Sequence, residues 1–173
     1  MIGNDIVDLN LARTSSNIFR PRYFDKILNT SELNFIQKSQ NKFLCFWRIW
    51  TLKETAYKAF QRHFLFDDFY NPSLFSSEII NSELALVSFR NQTLEIKSET
   101  NSSYIYSWTK AENIQENIIG NTKAEVFEKL NKALNLASFS LKKDKKALPY
   151  SEIFHKKTPI SNTHHGQFYA III

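Results

Sequence analysis

Glu54 and Lys58 stand four residues apart, in the acid-before-base order that suits one helix face. On an ordinary helix such a pair is a surface salt bridge contributing a few tenths of a kcal/mol, about 0.3. Position argues for more. Glu54 lies one turn beyond Trp50 and two beyond Trp47, so its carboxylate points toward an apolar stripe and needs a cation, whether lysine, arginine or metal. A second acid, Asp5, sits mid-strand among Ile2, Ile6, Val7 and Leu9, where a solvated carboxylate is out of place unless the strand is an edge or ends in a site. Pairing with an arginine at a strand end is the plainer alternative. Strand alternation puts Asp5 and Asp8 on opposite faces, so only one of them faces a given site. The third concentration is Pro159-Ile-Ser-Asn-Thr-His-His-Gly166, which gathers Ser161, Thr163, His164 and His165 in a turn before an apolar run. Loops beside strand ends often carry function, although a polar turn with a satisfied histidine explains the same residues. No Ser-His-Asp order or Cys-His spacing points to nucleophilic catalysis.

Composition narrows the classes. At 173 residues with 43% hydrophobic content, the chain suffices for one core and is short for two. A single cysteine, Cys45, allows no intrachain disulfide and suits a reducing, cytoplasmic setting. The N-terminal MIGNDIVDLN has no basic lead before an apolar run, and no apolar stretch approaches the roughly 20 residues of a membrane span. With 22 Lys+Arg against 17 Asp+Glu the net charge is +5, which suits acidic proteins, phosphate-bearing molecules or nucleic acid. Three glycines make a Gly-rich phosphate loop implausible, so side chains or helix ends must hold any phosphate.

The elements that must position these residues follow from periodicity. Residues 1–9 alternate as a strand, with Asp8 as the N-cap of a short helix. Helical patterns run over Arg22 to Lys38, with Thr30 and Ser31 as an interrupting cap, and over Lys42 to His63, where Phe43, Phe46, Trp47, Trp50, Tyr57 and Phe60 form an inward face. Leu84 to Phe89, Leu94 to Lys97 and Ser103 to Trp108 read as an antiparallel meander, residues 122–136 as an amphipathic helix capped by Thr122, and Ser138 to Lys142 and Phe168 to Ile173 as closing strands. The predicted class is α+β, a single domain with an antiparallel sheet packed against the Lys42 to His63 helix.

Taken together, GNDIVDL, WTLKETAYKAF and ISNTHHGQFYA resemble, in order, the three motifs of the 4'-phosphopantetheinyl transferase superfamily. RYFDKILNTSELNFIQ and FSLKKDKKALPYS also look like segments of its small holo-acyl-carrier-protein synthase branch, and residues 63–137 read as an enlarged, strand-rich and helical insertion relative to that branch. The resemblance implies transfer of the phosphopantetheine arm of coenzyme A to a serine of an acidic acyl or peptidyl carrier protein, with Mg²⁺ held by Asp5 and Glu54. It further implies that Lys58 and Lys53 neutralise phosphate oxygens, and that His164 with Ser161 or Thr163 contacts the nucleotide end. Three motifs sharing one ligand imply in turn an antiparallel sheet formed by the first and last strands against the Lys42 to His63 helix, bringing Asp5, Glu54 and His164 together. Either Glu54 or a metal-bound water is then the base, and Asp8 is a cap or a ligand. Arg13, Arg20 and Arg22 are expected carrier contacts, and a homotrimer like that of the small synthases is open. Two rivals are a catalytically inactive carrier-binding homologue and a basic nucleic-acid-binding domain using Tyr104 and Tyr106; neither a nucleic-acid nor a membrane partner is expected.

Overall fold

The computed structural model describes residues 1–65, 70–112 and 114–173. In chain order the elements are β1 (Asn4–Asp8), α1 (Leu9–Ser15), α2 (Thr30–Lys38), α3 (Lys42–Phe64), β2 (Ser76–Ile79), β3 (Leu84–Phe89), β4 (Gln92–Thr100), β5 (Tyr104–Thr109) and β6 (Asn117–Gly120). They continue with α4 (Lys123–Ala133), β7 (Lys142–Lys143), β8 (Pro149–Ile153), β9 (Lys156–Pro159), β10 (Ser161–His165) and β11 (Phe168–Ile172).

The meander expected from the alternating runs is present, and it is the main sheet: β2, β3, β4 and β5 pair antiparallel in sequence, and β1 adds beside β5 with Asp5 opposite Ser107. α3 lies across one face. Its aromatic stripe is only part of what it buries, because Ile49, Leu52, Ala56 and Ala59 are as enclosed as Phe46 and Phe60. Small residues matter here. A Cβ at Gly3 would run into the Thr55 carbonyl oxygen and come within 2.9 Å of the Ala59 nitrogen, so β1 and α3 approach as closely as they do because Gly3 has none. Thr51 and Ser107 share a hydroxyl hydrogen bond of 2.8 Å and Thr55 Oγ1 donates to Ser107 O at 3.2 Å, fixing the helix's rotation over the sheet.

The first and last strands are not sheet partners, contrary to expectation. β11 pairs with β10 and β6 in a second, three-stranded sheet. A wholly apolar strand announces burial on both faces without naming its neighbours. Here Phe168 and Ala170 pack on Ile6 and Tyr106 of the main sheet, while Tyr169 and Ile171 pack toward Val126 and Leu130 of α4. A third small sheet, β7-β8-β9, closes the molecule.

Several boundaries also move. The Arg22 to Lys38 helix begins only at Thr30, because Asn29 forms a capping box with Glu32; upstream, Arg22 has φ 62° and residues 24–26 make a single 3₁₀ turn. Of the strand expected over Ser138 to Lys142, only Lys142–Lys143 pairs, and the polar turn around Ser161 is itself a strand, β10. Residues from the segment read as an insertion supply β2 to β6 and α4. No helix among the described residues is long and apolar enough to cross a membrane.

Candidate active site

β1 and β10 run side by side, joined through side chains instead of a backbone ladder. Asn4 N–H donates to Ser161 Oγ at 3.1 Å, Ser161 O–H donates to Asn4 Oδ1 at 2.8 Å, and Asp8 N–H donates to His165 Nδ1 at 2.9 Å. Between these ties Thr163 Oγ1 donates to Asp5 Oδ1 at 2.9 Å. Two edge donors of β1, the Asn4 and Asp8 N–H groups, are thereby satisfied, and the Asp5 carboxylate is held where Lys58 of α3 reaches it.

From α3, Lys58 reaches the same point. Its Nζ lies 3.0 Å from Asp5 Oδ1, 3.0 Å from Asn4 O and 3.9 Å from Glu54 Oε1, so the two carboxylates share one ammonium and cannot be further apart than the sum of their distances to it. Burial first, and the Asp5 charge second, push the Glu54 carboxyl up to about 7, with Lys58 opposing. Concentrated negative charge that resists ionising is what a hard cation relieves, and these oxygens fit such an ion. Among the described residues no group of three or more His, Cys, Asp or Glu side chains is placed to hold a metal, so two carboxylates would hold an ion here only with substrate and water supplying the rest of its shell.

Asp5, Glu54, Lys58 and Thr163 therefore converge. Ser161 is buried and occupied with Asn4. His164 alternates to the other side of β10, exposed, with its ring 6.4 Å from that of Tyr169; it is not a hydrogen-bond partner of Asp5, Glu54 or Lys58, so the expected meeting of His164 with the two acids does not occur. Lys53 stands apart. It is completely buried, paired with Glu32 at 2.6 Å and bonded to the Ile27 and Pro72 carbonyls at 2.7 and 3.1 Å, so all three ammonium donors are spent inside the fold. Asp8 is an N-cap: its Oδ1 accepts from Asn10 and Leu11 N–H, and its Oδ2 from Gln167 N–H at 3.2 Å.

The sequence of residues 1–116, which contains Asp5, Glu54 and Lys58, matches the family described as the 4'-phosphopantetheinyl transferase superfamily. The chain belongs to that superfamily. The match includes the β2 to β5 meander, which the motif resemblance had left outside, and ends before the β10 strand. Searches of curated proteins and of solved structures gave no match. In this phosphopantetheinyl transferase the side chain that sequence reasoning overlooked is Asn4, and His165, singled out with its neighbours, had been given no role of its own. An asparagine beside the aspartate was a visible signal, since a buried amide in a strand must be bonded; nothing in the sequence distinguished His165 from His164.

Tyr106, offered as a stacking residue for nucleic acid, is enclosed: its hydroxyl donates to Asn117 Oδ1 at 2.6 Å and accepts from Asn4 Nδ2 at 3.2 Å. Tyr104 packs edge-on against Phe168, with ring centroids 4.9 Å apart.

Proposed function

We propose that this chain transfers the 4'-phosphopantetheine group of coenzyme A to a serine of an acidic apo carrier protein, with Mg²⁺ held by Asp5 and Glu54. The observation that carries the reading is the sharing of Lys58 by two converging carboxylates inside the family-matched region. When bound, Mg²⁺ supplies Lewis acidity and a template for the pyrophosphate. Thr163 orients Asp5. Lys58, which holds both acids, turns its charge to the phosphate oxygens and offsets the negative charge that develops as 3',5'-ADP leaves. The carrier's serine oxygen forms the new bond to phosphorus, the pyrophosphate P–O bond breaks, and the serine proton passes to a base. Glu54 is placed to be that base: without metal, burial and the Asp5 charge raise its carboxyl to about 7, and a bound cation would return it to the carboxylate form that accepts a proton. His164, exposed at the β10 end, is available to the nucleotide portion.

The carrier's acidic helices would meet the surface after β1. Arg13, Arg20 and Arg22 are exposed there, beside the exposed Leu11 and Phe19, which gives a basic and apolar patch. A cytoplasmic setting accords with the buried lone thiol Cys45.

Intact-mass measurement on a set of apo acyl and peptidyl carrier proteins, with coenzyme A and with or without Mg²⁺, tests the proposal. The expected result is a Mg²⁺-dependent gain of one phosphopantetheine on at least one carrier. No gain on any carrier overturns it, as does a gain that persists undiminished in Glu54→Gln.

A further inference from the structure

Two groups on the same wall of the site lack hydrogen-bond partners among the described residues. One is a donor and the other an acceptor. The Tyr70 hydroxyl is buried and bonded to nothing. The Glu54 carboxylate has only the 3.9 Å ion pair with Lys58, too long to be a hydrogen bond.

Their placement is fixed by rings. Tyr70 packs with its centroid 5.8 Å from Trp50 and 4.8 Å from Tyr57, and Phe75 backs it at 6.0 Å. Trp50 and Tyr57 are one turn before and one turn after Glu54 on α3, so the Tyr70 ring bridges the helix turn that carries Glu54. A buried, unpaired hydroxyl is destabilising, a penalty that a phenylalanine in the same aromatic cluster would avoid. Burial, and then the Glu54 and Asp5 carboxylates, raise the Tyr70 hydroxyl above the usual tyrosine range, so it stays a protonated donor.

We infer that Tyr70 is the positioning residue for Glu54: its hydroxyl donates to the Glu54 carboxylate when Glu54 turns from Lys58 to hold a divalent cation. The inference rests on the metal reading above and extends it to a residue outside the three motifs. Tyr70 fixes one Glu54 oxygen and leaves the other for the ion, while Lys58 is released toward phosphate. Partners of metal-binding carboxylates that act in this way typically account for about ten- to a hundredfold in metal affinity.

Tyr70→Phe keeps the ring and removes only the hydroxyl. Three measurements compare it with the parent: the melting temperature without metal, Mg²⁺ binding by calorimetry in the presence of 3',5'-ADP, and the Mg²⁺ concentration giving half-maximal transfer. The expected outcome is an unchanged or slightly higher melting temperature without metal, Mg²⁺ affinity weaker by about ten- to a hundredfold, and transfer recovered within about threefold at saturating Mg²⁺. In a Glu54→Gln background the same change should leave Mg²⁺ binding unaffected. Equal Mg²⁺ affinity in parent and Tyr70→Phe overturns the inference alone. A lower melting temperature with unaltered Mg²⁺ affinity also overturns it and assigns the hydroxyl to the fold through a buried water. A parent that binds no Mg²⁺ overturns the metal reading, and this inference with it.

Discussion

Thr163 in the tenth strand donates its hydroxyl to the carboxylate of Asp5 in the first, across 2.9 Å and 158 residues of chain. Both side chains are buried, so the bond is an internal constraint on where the carboxylate points. Thr163→Val preserves shape and deletes the donor. We expect a loss of about 1 to 3 kcal/mol in urea unfolding, since a buried charged acceptor loses a partner, and a fall in transfer that Thr163→Ser largely restores. Full activity in the valine variant would separate Thr163 from the site.

Glu54→Gln should nearly abolish transfer without unfolding the protein, because the amide keeps shape and helix preference while surrendering charge. Its stability relative to the parent should depend on pH. The folded-state pKa of Glu54 is raised from 4.5 to about 7, so the folded parent holds a proton that the unfolded chain releases. This contribution is fully present below about pH 4.5 and is lost as pH rises through about 7. The stability difference, parent minus Glu54→Gln, should fall across that window and then level off. Added Mg²⁺ should raise the melting temperature of the parent only. A flat difference with pH and an active glutamine variant would return Glu54 to the role of a surface ion-pair partner.

Lys58→Ala removes the ammonium shared by Asp5 and Glu54. The KM for coenzyme A should rise about ten- to a hundredfold, the value of one charge-assisted contact to phosphate, while the KM for the carrier protein changes little. Steady-state kinetics with each substrate varied in turn would show it; an unchanged KM for coenzyme A rules out the phosphate role.

Lys53→Met strips the cation from Glu32 in a completely buried ion pair. Leaving that carboxylate uncompensated should cost about 3 to 5 kcal/mol, read by chemical denaturation, and the further change Glu32→Gln should recover part of the loss. The fraction that remains folded should keep the parent's KM for coenzyme A. A KM that rises with little loss of stability would restore Lys53 to phosphate binding.

Gly3→Ala places a methyl group against the Thr55 carbonyl oxygen at the crossing of β1 and α3. Backbone has to give way there. We expect a loss of about 1 to 3 kcal/mol and a fall in transfer, because the strand carrying Asp5 moves relative to the helix carrying Glu54. Unchanged activity with lowered stability would show that the site tolerates the shift.

Patterns confined to neighbouring residues were legible in the chain. The periodicity of residues 42–63 marked the long helix, the alternating runs marked the meander, the offset of three separated Asp5 from Asp8 by face, and the four-residue spacing of Glu54 and Lys58 on one turn was already a contact. Each is set by backbone period alone. Partnerships between distant segments were not. That β1 lies between β5 and β10, that Thr163 and not His164 faces Asp5, and that Lys53 turns inward to Glu32 while Lys58 turns to Asp5 depend on how α3 and the second sheet pack on the main sheet. Lys53 and Lys58 are the same residue type five positions apart, about 140° around the helix from each other, so rotation about the helix axis sends one into the core and the other to the acids. That rotation is decided by Gly3, Thr51, Thr55 and Ser107 at the crossing of helix and sheet, contacts that exist only once the chain has folded.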